Sequence, residues 1–103
     1  MDVYFTNIAN KELGSWLKYD RSTAKKIYDL ISDIQTYGML GGRGKPEQLK
    51  HFKNPVRFSR HINKGDRLVY CLQDEKDLLI TQLSQLLKSP VKSAFAGCDA
   101  RII

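Results

Sequence analysis

Two N-terminal helices packed on one face of a small antiparallel sheet, an α+β fold in the order βααβββ, is the architecture that this 103-residue sequence predicts. Three observations carry that expectation. Ala24, Ile27, Leu30, Ile31 and Ile34 form an apolar stripe with helical period. Two strand-like runs, Arg57–Ile62 and Arg67–Gln73, flank the turn Asn63-Lys64-Gly65-Asp66. The length suits one domain with a single modest core.

Val3–Thr6 (VYFT) combines β-branched and aromatic residues and predicts the first strand. Asn7 or Asn10 then offers a cap for a helix in which Leu13, Trp16 and Leu17 recur at helical spacing up to Tyr19, although Gly14 weakens it by about 1 kcal/mol relative to Ala. Asp20 or Ser22 caps the second helix, whose stripe ends near Tyr37-Gly38. Residues 38–46 hold four glycines and a proline and read as a loop that permits close approach to a ligand. Pro46-Glu47-Gln48-Leu49-Lys50 has the composition of one helical turn. The hairpin follows, then a turn at Asp74–Asp77 and a third meander strand over Leu78–Leu83. Residues 88–103 open on Ser89-Pro90, show neither period, and predict an irregular C-terminal tail behind a domain spanning residues 1–87.

Seventeen Lys and Arg against eleven Asp and Glu leave a net charge of +6, which suits a polyanion such as nucleic acid, because each neutralised phosphate releases counterions. Two cysteines without a CxxC pair, and two histidines far from them, argue against a structural zinc, and no cofactor is expected. Cys71, inside LVYCL, reads as a small buried hydrophobe in a reducing compartment. The start Met1-Asp2-Val3 lacks the pattern of a secretion signal and no run approaches membrane-spanning length, so a cytoplasmic protein without membrane contact is expected.

GRGKPEQLK (42–50) concentrates Arg43, Lys45 and Lys50 around one carboxylate, Glu47. RNA cleavage without a metal needs that combination: a base for the 2′-hydroxyl, cations for the charge growing on the phosphorane oxygens, and an acid for the departing 5′-oxygen. Glu47 is the candidate base, Arg67 with Arg60 the candidate clamp, and His61 a candidate proton carrier. Alternation places Phe58 and Ile62 in the core, Ser59 and His61 on the open face, and Arg60 on a sheet edge. Blander readings stand beside these: Glu47 as a helix-start carboxylate paired with Lys50, Arg67 as a strand-end charge, His61 as a solvated strand residue.

Trp16, KKIYDLISDI, GRGKPEQLK, FSRHI and GDRLVY occur in the order and spacing of the YoeB/Txe branch of the RelE/ParE toxin superfamily, and the chain resembles that branch over roughly residues 1–80. The resemblance implies a RelE-like toxin of a type II toxin-antitoxin system, an endoribonuclease that cuts mRNA on the ribosome and is silenced by an acidic, YefM-like antitoxin; it leaves room for a homodimer. It assigns Glu47 as general base, Arg67 as the arginine on the scissile phosphate, and Lys45, Lys50, Arg60 and Arg43 to the RNA-binding surface, with His61 where a second arginine is usual. Members close on His-Tyr, the histidine serving as general acid, and the alignment puts Leu86 and Leu87 there. Neither can donate a proton, which leaves a second expectation: a catalytically impaired relative that binds the ribosome or the antitoxin without cleaving RNA.

Overall fold

The computed structural model describes residues 1–53, 55–85 and 100–102. β1 (Val3–Thr6) runs directly into α1 (Asn7–Tyr19), α2 (Arg21–Tyr37) follows after one residue, and the loop 38–46 leads to β2 (Glu47–Lys53), β3 (Val56–His61), β4 (Asp66–Gln73), β5 (Asp77–Gln85) and β6 (Ala100–Ile102). The six strands form one sheet in the order β2-β3-β4-β5-β1-β6.

Thr6, the last residue of β1, caps α1 by accepting from the Ala9 N–H at 3.2 Å, where either Asn7 or Asn10 was expected. Asp20 serves both helices. Its N–H closes α1 on the Trp16 carbonyl at 2.8 Å, and its carboxylate accepts from the Thr23 N–H and from the hydroxyls of Thr23 and Ser22 at the start of α2. Those bonds, Thr23's foremost, hold the Asp20 carboxyl below its ordinary range. The predicted stripe is the buried face of α2, joined by Asp33, and Gly38 ends the helix at φ 92°.

Ile27, Leu30, Ile31 and Ile34 pack with Leu13 and Phe5 against Ile62, Leu68, Tyr70, Leu78, Ile80 and Leu83, a single core between the helices and one face of the sheet. The two-layer α+β architecture is therefore as predicted.

Three details differ. The sheet is mixed, because β1 lies parallel to β5, with Val3 opposite Leu78 and Phe5 opposite Ile80. The segment after Pro46 is strand β2: Glu47 pairs with Ser59, Gln48 with Phe58 and Leu49 with Arg57. Its residues are good helix formers, but so short a segment does not nucleate a helix, and the ladder offered by β3 wins. Third, the expected irregular tail contains β6, which pairs antiparallel with β1, Tyr4 opposite Ile102 and Thr6 opposite Ala100. The rest of that tail, Leu86, Leu87 and the proposed domain boundary at 87 lie outside the described residues.

Beyond Ile80, β5 has outrun β1, and side chains of the β1–α1 segment take over the hydrogen bonding. The Thr6 hydroxyl donates to the Thr81 carbonyl at 3.2 Å, Glu12 accepts from the Leu83 N–H at 2.9 Å, and the Trp16 indole donates to the Leu83 carbonyl at 2.8 Å. Three side chains thus stand in for a missing strand along that stretch of β5. This fixes the end of β5 that meets the candidate site.

Candidate active site

Strand register gathers the candidate residues. Glu47 on β2 faces Ser59 on β3; His61 lies two residues further along β3 and faces Arg67 on β4, which in turn faces Ser84 on β5. Directly paired residues, and residues two apart, share a face of a sheet, so Glu47, His61 and Arg67 all lie on the face away from the helices. With strands about 4.8 Å apart and about 6.8 Å per two residues, the Cα atoms of Glu47 and His61 are about 8 Å apart and those of Glu47 and Arg67 about 12 Å. Glu47 is exposed and His61 and Arg67 are half-buried, so solvent reaches all three. Arg67 Nη1 donates to the carbonyls of Asn63 and Asp66 at 3.3 and 3.2 Å, which lays the guanidinium along the hairpin turn.

Ser59, expected on the open face, is fully buried. Arg60 is also a correction. It is 0% exposed on a central strand rather than at an edge, because its side chain points to the helix side, where a bare cation is tolerated only with its donors paired. Its Nε donates to the Tyr70 hydroxyl at 3.0 Å, Nη1 to the Arg43 carbonyl at 2.8 Å, and Nη2 to the carbonyls of Gly38 and Met39 at 3.0 and 3.4 Å. Tyr70 donates its own proton to the Met39 carbonyl, and burial pushes its phenol up. Arg60 therefore anchors the loop 38–46 from beneath and is not presented to RNA.

The loop is held from the side as well. Asp33 accepts from the backbone N–H, Nε and Nη2 of Arg43 at 2.8, 3.0 and 3.1 Å, and these bonds lower its carboxyl to about 2. Arg43 is mostly exposed, yet its fork is engaged by Asp33. Gly44 closes the loop onto the sheet: its carbonyl accepts from the His61 N–H at 2.7 Å, its φ is 91°, and a Cβ there would stand 2.9 Å from Leu30 Cδ2 and 3.1 Å from Arg60 Cβ. Lys45 follows at φ 50°, a conformation that costs a non-glycine residue about 1 kcal/mol. Two anchors thus hold the loop in the shape that delivers Lys45 and Glu47 beside His61. Lys50 is exposed on β2 within the irregular stretch after Leu49, so the register does not assign it to the face of Glu47.

Partial burial lowers the His61 imidazole below its ordinary value, helped by Arg67, Lys45 and Lys26 and opposed by Glu47. A phosphate arriving among these cations would oppose that lowering. Among the described residues no group of three or more His, Cys, Asp or Glu side chains is placed to hold a metal ion. No helix among the described residues is long and apolar enough to cross a membrane.

The profile of the YoeB-like toxin of bacterial type II toxin-antitoxin systems matches residues 5–85. The chain belongs to that family. Toxin YoeB of Escherichia coli (strain K12) is 39% identical over 64 residues, 62% of this chain and 74% of the relative. The YoeB dimer from Staphylococcus aureus superposes with a TM-score of 0.76 at 32% identity, over 84% of this chain and 98% of that one. The toxin in the heterotetrameric YoeB-YefM complex from Staphylococcus aureus superposes at 0.74 and 31% identity with the same coverage. The family match takes in Glu47, His61 and Arg67 and stops one residue before Leu86.

Asp33, Tyr70, Lys26, Asn63 and Lys64 had not been singled out from sequence. Asp33 carries a signal in retrospect: it is an acid beside the apolar stripe of α2, ten residues before an arginine in a glycine-rich loop.

Proposed function

We propose that this YoeB-family toxin is a ribosome-dependent mRNA endoribonuclease working without a metal. The observation that supports it is the register that sets Glu47 and Arg67 on one accessible patch, with His61 between them. Glu47 takes the proton of the 2′-hydroxyl, and the freed oxygen attacks the adjacent phosphorus. Arg67 stabilises the charge on the phosphorane oxygens. The P–O5′ bond then breaks, leaving a 2′,3′-cyclic phosphate and a 5′-hydroxyl. His61, protonated once the phosphate has entered, donates to the departing oxygen. Lys45 holds a flanking phosphate, and Lys50, exposed further along β2, adds charge for the RNA backbone. Arg43 contributes charge at the rim, and Arg60 acts through the loop.

A cognate acidic antitoxin of the YefM kind would cover this basic patch, and a homodimer is the assembly we favour; the complex and the dimer of the Staphylococcus aureus relatives support both. The cytoplasm, where translating ribosomes are, is the proposed location. A second reading, a catalytically impaired toxin that blocks the ribosome or titrates antitoxin, draws on Leu86 and Leu87 at the positions of His-Tyr. Expression in a bacterial host separates the two. Growth arrest with mRNA cleavage, both relieved by Glu47→Ala, supports the nuclease; arrest that Glu47→Ala leaves untouched supports blockade.

A further inference from the structure

Beside the candidate active site, on the far side of His61, a cavity of about 480 Å³ opens between α2, the loop 38–46 and the β3–β4 hairpin. Its polar lining among the described residues is Lys26, Arg43, Lys45, His61, Asn63 and Lys64, with no carboxylate among them. Gly44 forms part of the wall, so backbone rather than side chain faces the space, and a Cβ there would collide with Leu30 and Arg60.

We infer that this groove is a second phosphate subsite, holding the RNA phosphate one nucleotide step from the phosphate gripped by Arg67. The inference rests on the proposed nuclease reading and adds residues to it, Lys26, Lys64 and Asn63. Three features carry it. First, among the described residues no carboxylate pairs with Lys26, Lys45 or Lys64, while Arg43 is satisfied by Asp33. Three lysines converging on one space without counter-charge repel one another, and a bound anion relieves that repulsion. Second, the two sites adjoin through one side chain: His61 lines the groove and is also the cross-strand partner of Arg67. Its imidazole is electrostatically lowered by Arg67 from one side and by Lys45 and Lys26 from the other. Third, lysines act on phosphate as point charges without base preference, and Asn63 is occupied locally, its Oδ1 accepting from Gly65 and Asp66 N–H. The groove therefore grips the backbone and leaves the base unread.

The test uses Glu47→Ala full-length chain, so that cleavage does not intrude, and a 2′-O-methyl RNA trinucleotide, whose two phosphates match the two subsites. Its dissociation constant is measured against salt concentration, before and after Lys26→Ala plus Lys64→Ala. Both lysines are exposed, so these substitutions leave the fold intact, and a circular dichroism melt checks this. The expected result is weaker binding and a log–log salt slope shallower by about 0.7, the loss of one single-strand phosphate contact. An unchanged constant and slope would overturn the subsite. So would a defect seen only with whole ribosomes, because the lysines would then serve ribosomal RNA. Failure of the nuclease reading looks different: on ribosome-bound mRNA with unmodified 2′-hydroxyls, Glu47→Ala would cleave like the parent while the slope change on the trinucleotide persisted.

Discussion

Replacing Arg60 by Met tests whether a buried arginine, rather than an exposed one, sets the shape of the loop that presents Glu47. Methionine preserves most of the side-chain volume and removes the guanidinium. The Arg43 carbonyl then loses its Nη1 partner, and the Gly38 carbonyl keeps only a long 3.4 Å bond from the Gly41 N–H. The Met39 carbonyl retains the Tyr70 hydroxyl. Leaving a buried acceptor without its partner costs about 1–3 kcal/mol, and two part-buried carbonyls at the lower end of that range give about 2 kcal/mol. A domain of this size has about 5–15 kcal/mol in hand, so Arg60→Met still folds. At about 4–8 °C per kcal/mol, Tm falls by about 8–16 °C. Urea denaturation reads the loss as a lower midpoint at unchanged slope. Amide exchange at His61, whose N–H is donated to Gly44, reads the loosening of the loop directly. A midpoint within about 0.5 kcal/mol of the parent, the scale of an ordinary surface substitution, together with unaltered His61 exchange, would refute the anchoring role.

Asp33→Asn removes a carboxyl whose folded value, about 2, lies below the ordinary 3.8. Its stabilisation is present above the ordinary value and is lost as pH falls from 3.8 towards 2; the parent should therefore lose more Tm than the variant over that interval in acid melts. His61 has the same sign at higher pH: its lowered value makes the neutral ring the folded form, so acidification below about 6.5 destabilises the parent and spares His61→Gln. Gly44→Ala forces a side chain into φ 91° and against Leu30, at a cost of about 2 kcal/mol in a denaturation curve. Trp16→Phe keeps the packing but forfeits the bond to the Leu83 carbonyl and should cost about 1 kcal/mol, measured the same way.

What the sequence disclosed follows the range of the interactions involved. The stripe of α2 and the β3–β4 hairpin are local signals, and both elements stand where their patterns put them. β2 was misread because Glu-Gln-Leu-Lys favours a helix locally, and only pairing with β3, a contact across the chain, overrides it. The parallel β1–β5 ladder joins residues 75 apart and leaves no short-range trace. At the site, adjacency of His61 and Arg67 was legible from the short turn between them. Placing Glu47 near them needed the register of β2, to which only the family resemblance pointed. Arg60 was misplaced because a charge in a strand reads as surface; its burial depends on carbonyls supplied by a loop some twenty residues earlier.

The central claim is that Glu47 and Arg67 act on one phosphodiester from a shared face of the sheet. Single-turnover cleavage of mRNA on purified ribosomes, in the presence of a chelator, measures it most directly for the parent, Glu47→Gln and Arg67→Ala. The account predicts 2′,3′-cyclic phosphate ends from the parent and rates lower by about 10²–10⁴ for Glu47→Gln and about 10²–10³ for Arg67→Ala, with both variants folded. Cleavage by either variant at the parental rate would contradict it.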